Sequence, residues 1–240
     1  MSGQNTSTAV MQRRRVAPDS LDYFPTPPFA TRALCEFLRD LGYPLHAYDV
    51  WEPACGEFHM ARPSGEYFAK VRASDVHPYG EHQVLDFPLL GRSEHGADWV
   101  ITNPPFMLAE QFIRTALDVA GTGVAMLVRS AFLEGEKRCL GLFAETAPSY
   151  VLQFSERVVM LKDRLVRSGR VDPFHEKPGS KASSATSYSW LVWLHRVERD
   201  TRLRWIAPCR HRLERDGDYP IYSPAAVSSP SGGLFSEVTV

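Results

Sequence analysis

The chain has little of what would place it in several large protein classes. Its four cysteines, Cys35, Cys55, Cys139 and Cys209, lie far apart with no C-x-x-C pair, which fits neither a disulfide scaffold nor a zinc knuckle. A reducing, cytoplasmic compartment is the expectation that follows. No apolar run approaches the ~20 residues that a membrane helix requires. With 44% hydrophobic, 11% aromatic and 23% charged residues, the composition is that of a folded globular protein, and a membrane-spanning or wholly disordered chain is excluded. The eight histidines show no recurrent ligand spacing, so no metal site is expected.

Net charge is nearly absent too, at −1, so the whole molecule has no general attraction for polyanions. The average conceals an uneven distribution. Residues 1–150 sum to −5, residues 151–215 to +7 and residues 216–240 to −3. A basic segment after an acidic body reads either as a nucleic-acid contact surface or as an Arg-rich solvated face.

A length of 240 residues suits one α/β domain with appendages. Residues 1–20, polar and carrying Arg13, Arg14 and Arg15, read as a flexible tail; their composition resembles a transit peptide but lacks its amphipathic stripe. Residues 21–222 form the expected domain, and the Ser/Pro/Gly-rich stretch 223–240 a second flexible tail. Ala30, Ala33, Leu34, Phe37, Leu38 and Leu41 recur on one helical face, predicting a helix over 27–41 with Thr26 as N-cap, Pro27 in the first turn and Gly42 as stop. Ala47–Trp51, Lys70–Ser74, Asp98–Thr102 and Gly123–Arg129 read as strands. Between the last two, a stripe from Ala109 to Ala120 predicts a helix closed by Gly121 and Gly123. Such alternation implies a parallel sheet with helices on both faces, whose ligands bind at the carboxyl ends of the strands. Tyr150–Phe154, Arg157–Leu161 and Ser187–Leu194 read as further strands, and 162–185 as a long mobile basic loop.

Chemistry-bearing residues stand at those strand ends. Glu52-Pro53-Ala54-Cys55-Gly56 puts an acid and a glycine after the first strand, where backbone amides can approach a ligand or the chain can simply turn. Asp75, followed by Val76, ends the second strand, placed to accept from both hydroxyls of a ribose or to cap a loop. Asp86-Phe87 pairs an acceptor with an aromatic face suited to an adenine ring, or is a strand end with one buried ring. Asn103-Pro104-Pro105-Phe106 is more specific. Two consecutive prolines supply no donors and fix their φ angles, so the Pro104 carbonyl is rigidly aimed. With the Asn103 side-chain oxygen and the Phe106 ring, that corner forms a receptor for a planar base bearing an amino group; the plain alternative is a structural Asn-Pro turn.

With these residues in place, the sequence resembles the S-adenosylmethionine-dependent amino-methyltransferases, especially DNA N6-adenine methyltransferases, and above all their small phage and prophage members. The resemblance runs from Asp22 to Trp193. It implies a Rossmann-like class I methyltransferase fold, with a mostly parallel seven-stranded sheet and an antiparallel strand near the C-terminal edge. Tyr23, Pro25 and Thr26 would hold the methionine end of the cofactor, and Glu52 to Gly56 would form its turn. Asp75-Val76 would take the ribose, Asp86-Phe87 the adenine, and Asn103 to Phe106 the catalytic step. A target adenine would rotate out of its helix, stack on Phe106 and donate both amino hydrogens to Asn103 and the Pro104 carbonyl. Cys55 reads as a packing residue, since attack by an amine needs no thiol nucleophile.

The implied partner is adenine-containing DNA, in the cytoplasm of a bacterium or phage-infected host, with no membrane and no metal; the oligomeric state is left open. For target contact, Lys162, Arg164, Arg167, Arg170, Lys177 and Lys181 could track phosphates with Phe174 and His175 near the base, extended by Arg199, Arg202, Arg204, Arg210 and Arg212. Alternative acceptors for the same motif are RNA bases or a protein glutamine, and a non-enzymatic alternative is a degenerate fold that only binds a partner. One departure bears on the cofactor. Where the family has Gly-x-Gly, this chain has Gly56-Glu57-Phe58, which predicts a strained residue at positive φ whose side chain crowds the cofactor.

Overall fold

Alternating apolar residues in the strands send neighbours to opposite faces, and the core is split accordingly. The computed structural model describes residues 22–90, 96–195 and 200–222; both expected tails, with Glu198 and Arg199, lie outside them. Its sheet contains β1 (Asp49–Glu52), β2 (Lys70–Asp75), β3 (Gln83–Val84), β4 (Ala97–Thr102), β5 (Ala120–Arg129), β6 (Tyr150–Phe154), β7 (Tyr188–Leu194) and β8 (Arg202–Ile206). The order is β3-β2-β1-β4-β5-β7-β6-β8. The first five strands pair in parallel, and β7 runs antiparallel between β5 and β6.

Helix α1 (Pro28–Asp40) covers one face, where Phe29, Leu34 and Leu38 meet Val50, Trp99, Ile101, Leu127 and Trp190. The alternate residues Trp51, Val100, Met126 and Leu191 face the other way, against Phe112, Ile113 and Ala116 of α3 (Ala109–Val119). A short helix, α2 (Ala61–Ser64), follows β1. Arg32 on α1 is buried between Glu66 and Asp218, 2.8 and 2.7 Å away, which ties this helix to the chain's last described turn.

Four local expectations are corrected. Thr26 does not cap α1; Pro27 takes that position, because the Pro27-Pro28 pair lacks the amides a cap would satisfy. The Thr26 hydroxyl instead donates to Met160 Sδ at 3.6 Å. Gly121 and Gly123 do not stop α3 but lie in β5. A Cβ at Gly123 would sit 2.6 Å from the Trp99 indole and 2.9 Å from the Trp193 carbonyl, so this glycine is a packing requirement of the sheet.

Arg157–Leu161 forms no strand, because β6 already has β7 on one side and β8 on the other. Val158, Val159 and Met160 are buried all the same. The sheet has eight strands rather than seven. The eighth, β8, carries Arg202 and Arg204 on an exposed edge, and there its basic residues conceal the strand pattern.

Candidate active site

Strands β1, β2, β3 and β4 end along one edge of the sheet, and a cavity of about 860 Å3, counted out to its open mouth, lies against those ends. Its walls include Tyr23, Pro25, Thr26, Glu52, Pro53, Ala54, Cys55, Asp75, Val76, Asp86, Phe87, Asn103 and Pro105. Three of the residues singled out in the sequence, Gly56, Pro104 and Phe106, stand behind those walls.

The turn after β1 is pinned from β2. The Cys55 amide donates to the Ser74 carbonyl at 3.0 Å, and the Gly56 amide to Asp75 Oδ2 at 2.9 Å. Asp75 Oδ1 accepts from the His77 amide at 3.0 Å. Each oxygen has two lone pairs, so both keep acceptor capacity. Gly56 adopts φ +48°, and a Cβ there would lie 2.5 Å from the Tyr23 ring. Its role is to let Tyr23 close down on the turn. Tyr23 in turn stacks on Tyr79 with centroids 4.6 Å apart and donates from its hydroxyl to Glu57 at 3.0 Å, forming an aromatic cover at the cavity rim.

Glu52 is the unusual group. It is 3% exposed, its Oε2 has no partner, and burial, with Asp75 nearby, pushes its carboxyl well above the usual range. A buried acid with one oxygen unpartnered, beside a second acid, is costly without a ligand and suits a cationic one. The same surroundings raise the Cys55 thiol, with burial the largest cause and Glu52 and Asp75 adding to it. Cys55 is therefore held as the neutral thiol. Leu85, Phe87, Pro88 and Phe112 form an apolar slot in the same cavity. Acids beside a flat apolar slot fit a nucleoside-type cofactor that carries positive charge. Among the described residues no group of His, Cys, Asp and Glu could hold a metal ion.

At the end of β4 the Asn103 amide is oriented by its surroundings. Its Nδ2 donates to the Phe24 carbonyl at 2.8 Å and to Met160 Sδ at 3.6 Å, which leaves Oδ1 buried with no partner. A carbonyl can only accept, so the amino group must face Phe24 and the oxygen must face away from it. The Phe106 amide donates to Asp22 Oδ2 at 2.6 Å, fixing the far end of the corner. The Phe106 ring is half-buried, with its centroid 5.1 Å from that of Phe24.

Phe58 does adopt positive φ, at +68°, but it does not crowd the cavity. Its ring turns outward onto His82, with centroids 5.7 Å apart, and would touch a Cβ at Gly80 at 3.0 Å. In the basic segment 162–185, Arg164 and Arg167 are each 2.7 Å from a carboxylate, of Asp172 and Glu214 respectively. Phe174 packs edge-on against Tyr222 at 4.9 Å. Arg170, Lys177 and Lys181 remain exposed. Sequence reasoning missed Tyr79 and Met160 as site residues, and neither had a local signal. Asp22 stood at the head of the segment from Asp22 to Pro27 that resembles the family's cofactor-holding stretch, with no role of its own assigned.

No protein-family model matches the sequence, and no curated protein sequence matches it. Among solved structures the chain is similar to a protein provisionally described as a class I S-adenosylmethionine-dependent methyltransferase from Listeria monocytogenes, at 11% identity over 78% of this chain and 67% of the other, with TM-score 0.54. The fold is that of the class I methyltransferases. A type I restriction-modification system methyltransferase subunit from Streptococcus thermophilus is similar at 12% identity and TM-score 0.52, over 85% of this chain and 51% of the other. This chain thus spans about half the length of that subunit. A protein provisionally described as an RNA methyltransferase from Pyrococcus horikoshii is similar at 14% identity and TM-score 0.51, over 72% of this chain and 88% of the other.

Proposed function

We propose that the protein transfers a methyl group from S-adenosylmethionine to the exocyclic amino group, N6, of adenine in DNA. The observation that carries this reading is the Asn103 amide, whose nitrogen is tied to the Phe24 carbonyl while its buried oxygen is left unpartnered beside a cavity rich in acid. An oriented neutral acceptor of this kind is matched to a neutral N–H donor.

When bound, S-adenosylmethionine supplies an electrophilic methyl group. Asp75, which keeps a lone pair on each oxygen, would accept from the ribose hydroxyls. Glu52 would face the cofactor's positive charge, and the slot at Leu85, Phe87 and Phe112 would take its adenine. Tyr23, Pro25 and Thr26 would close over the methionine end.

On the acceptor side, Asn103 Oδ1 and the Pro104 carbonyl would take the two amino hydrogens. Bonds in those two directions draw the nitrogen lone pair out of conjugation with the ring, and a nucleophile is obtained by geometry. Alignment of donor and acceptor then supplies much of the acceleration. Because the amino group is paired inside a duplex, the base must leave its stack to reach this corner. Phe106 offers a stacking surface worth about 1–3 kcal/mol by analogy with single-strand binders.

DNA is favoured as acceptor by the resemblance of Asn103-Pro104-Pro105-Phe106 to the adenine enzymes, and the restriction-modification methyltransferase subunit among the structural neighbours is consistent with it. The test offers methyl-labelled cofactor with DNA from a methylation-free host, structured RNA and protein. Label in N6-methyladenine of the DNA is the expected result; label only in RNA or protein overturns the acceptor assignment.

A further inference from the structure

The stacking surface of Phe106 is not bare. Arg129, the last residue of β5, lays its guanidinium carbon 3.8 Å from the Phe106 ring centroid and 5.7 Å from that of Phe24. The Tyr188 hydroxyl, which burial keeps protonated against the nearby Arg129 charge, belongs to the same cluster. Tyr188 and Phe24 stand 6.3 and 5.1 Å from Phe106, ring to ring. Phe106 does not line the cavity although Asn103 and Pro105 do.

A guanidinium is a flat, delocalised slab that stacks on aromatic faces much as a base does. A separation of 3.8 Å is a stacking distance, so an incoming base and Arg129 compete for one place. Arg129 itself is exposed at the rim. There a cation–π contact is weak, whereas a charge-assisted, bidentate bond to phosphate is among the strong ones.

We propose that Arg129 determines the preference for polynucleotide over free nucleoside: it holds the acceptor's place on Phe106 and yields it when a base arrives together with a phosphate that takes up the guanidinium. This rests on the base-acceptor reading above. A nucleoside alone must displace Arg129 with nothing to receive it. A base on a polynucleotide brings the replacement partner along, and the exchange becomes favourable.

The two ligands should therefore respond to Arg129→Ala in opposite directions. With the protein saturated by S-adenosylhomocysteine, NMR titration should show adenosine binding about two- to fivefold more tightly, the size of a lost exposed cation–π contact. With DNA, KM should rise about tenfold while kcat carries little of the loss. The dependence of log KM on log salt should become shallower by about one unit, one phosphate contact. Arg129→Lys keeps the charge and should restore the salt slope. Arg129→Gln, a flat cap without charge, should lose the slope yet bind adenosine as the wild type does, and it serves if the alanine variant fails to fold.

Parallel weakening of adenosine and DNA would mean that Arg129 props Phe106 or stacks on the base, and no change in either would mean that it is a bystander; both results overturn the proposal. The base-acceptor reading is scored separately, by label transfer from the wild type to DNA. If that fails, the adenosine titration still decides whether Arg129 occupies the stacking place.

Discussion

On the β1–β2 side the cavity walls carry two acids, Glu52 and Asp75, whereas at the end of β4 they carry the neutral Asn103 amide, with the Phe106 ring and the Arg129 guanidinium stacked on it outside those walls. Glu52 is buried and incompletely paired, so that side stores an electrostatic cost that a cation relieves. Asn103 stores little charge but is held tightly, between the Phe24 carbonyl and Met160. One half of the site is tuned by field and the other by direction. Substitutions in the acidic half should therefore act on cofactor binding, and those of Asn103 on turnover.

The sharpest break of that contrast is Asn103→Ala. Methyl transfer is expected to fall at least 10²–10³-fold, roughly what the loss of one preorganised hydrogen-bonding group costs, with cofactor binding by calorimetry little changed. Asn103→Asp should be no better. It places an acceptor against the Phe24 carbonyl, where the wild type has a 2.8 Å donor contact, and leaves two acceptors face to face. Parallel loss of cofactor binding in both variants would erase the division between the halves.

Gly56→Ala comes next. A Cβ would lie 2.5 Å from the Tyr23 ring at a φ of +48°, and about 1–3 kcal/mol of destabilisation is expected from overpacking and backbone strain. Thermal melting should show it, together with weaker cofactor binding as Tyr23 is pushed off the turn.

A smaller effect is expected with pH. Burial, then Asp75, raises the Glu52 carboxyl, so its neutral form is favoured in the folded, ligand-free protein. That contribution to stability is present below the ordinary carboxylate value and is lost as pH rises through the elevated one. Affinity for a cationic cofactor should move the opposite way, increasing over the same window as Glu52 ionises. Melting and calorimetry from the ordinary carboxylate range upward in pH measure both trends, and Glu52→Gln should flatten both.

The smallest effect is expected for Phe58→Gly. Relief of strain at φ +68° is offset by the lost contact with His82 and by a more flexible unfolded chain, for a net change below about 1 kcal/mol. Since the ring lies outside the cavity walls, cofactor affinity should stay within about twofold of wild type. A large gain in affinity would show that Phe58 does reach the ligand.

Most of the acidic half was legible in the sequence because it is made locally: an acid and a turn at the end of each of two strands, read from Glu52 to Gly56 and at Asp75. Helices α1 and α3 followed from their apolar stripes, and β4 and β5 from short runs rich in Val, Ile and Leu. The neutral half was legible only in its tetrapeptide. What orients Asn103 and Phe106, namely the Phe24 carbonyl, Met160, Asp22 and Arg129, is set by how distant segments meet across the sheet, and no local pattern encodes that meeting. Strand β8 escaped notice for a different reason. On an exposed edge, alternating Arg202, Leu203, Arg204 and Trp205 mimics a basic coil.

The reversal of β7 has one more consequence. Because β6 climbs toward the cavity-bearing edge and β7 descends from it, the chain between them, 155–187, is cantilevered at the rim. It is moored by Met160 against Asn103 and by the Asp163 amide on the Tyr23 carbonyl. Arg167 on Glu214 and Phe174 against Tyr222 hold it farther along, and between these moorings its length and charge can vary without breaking a bond of the eight-stranded sheet.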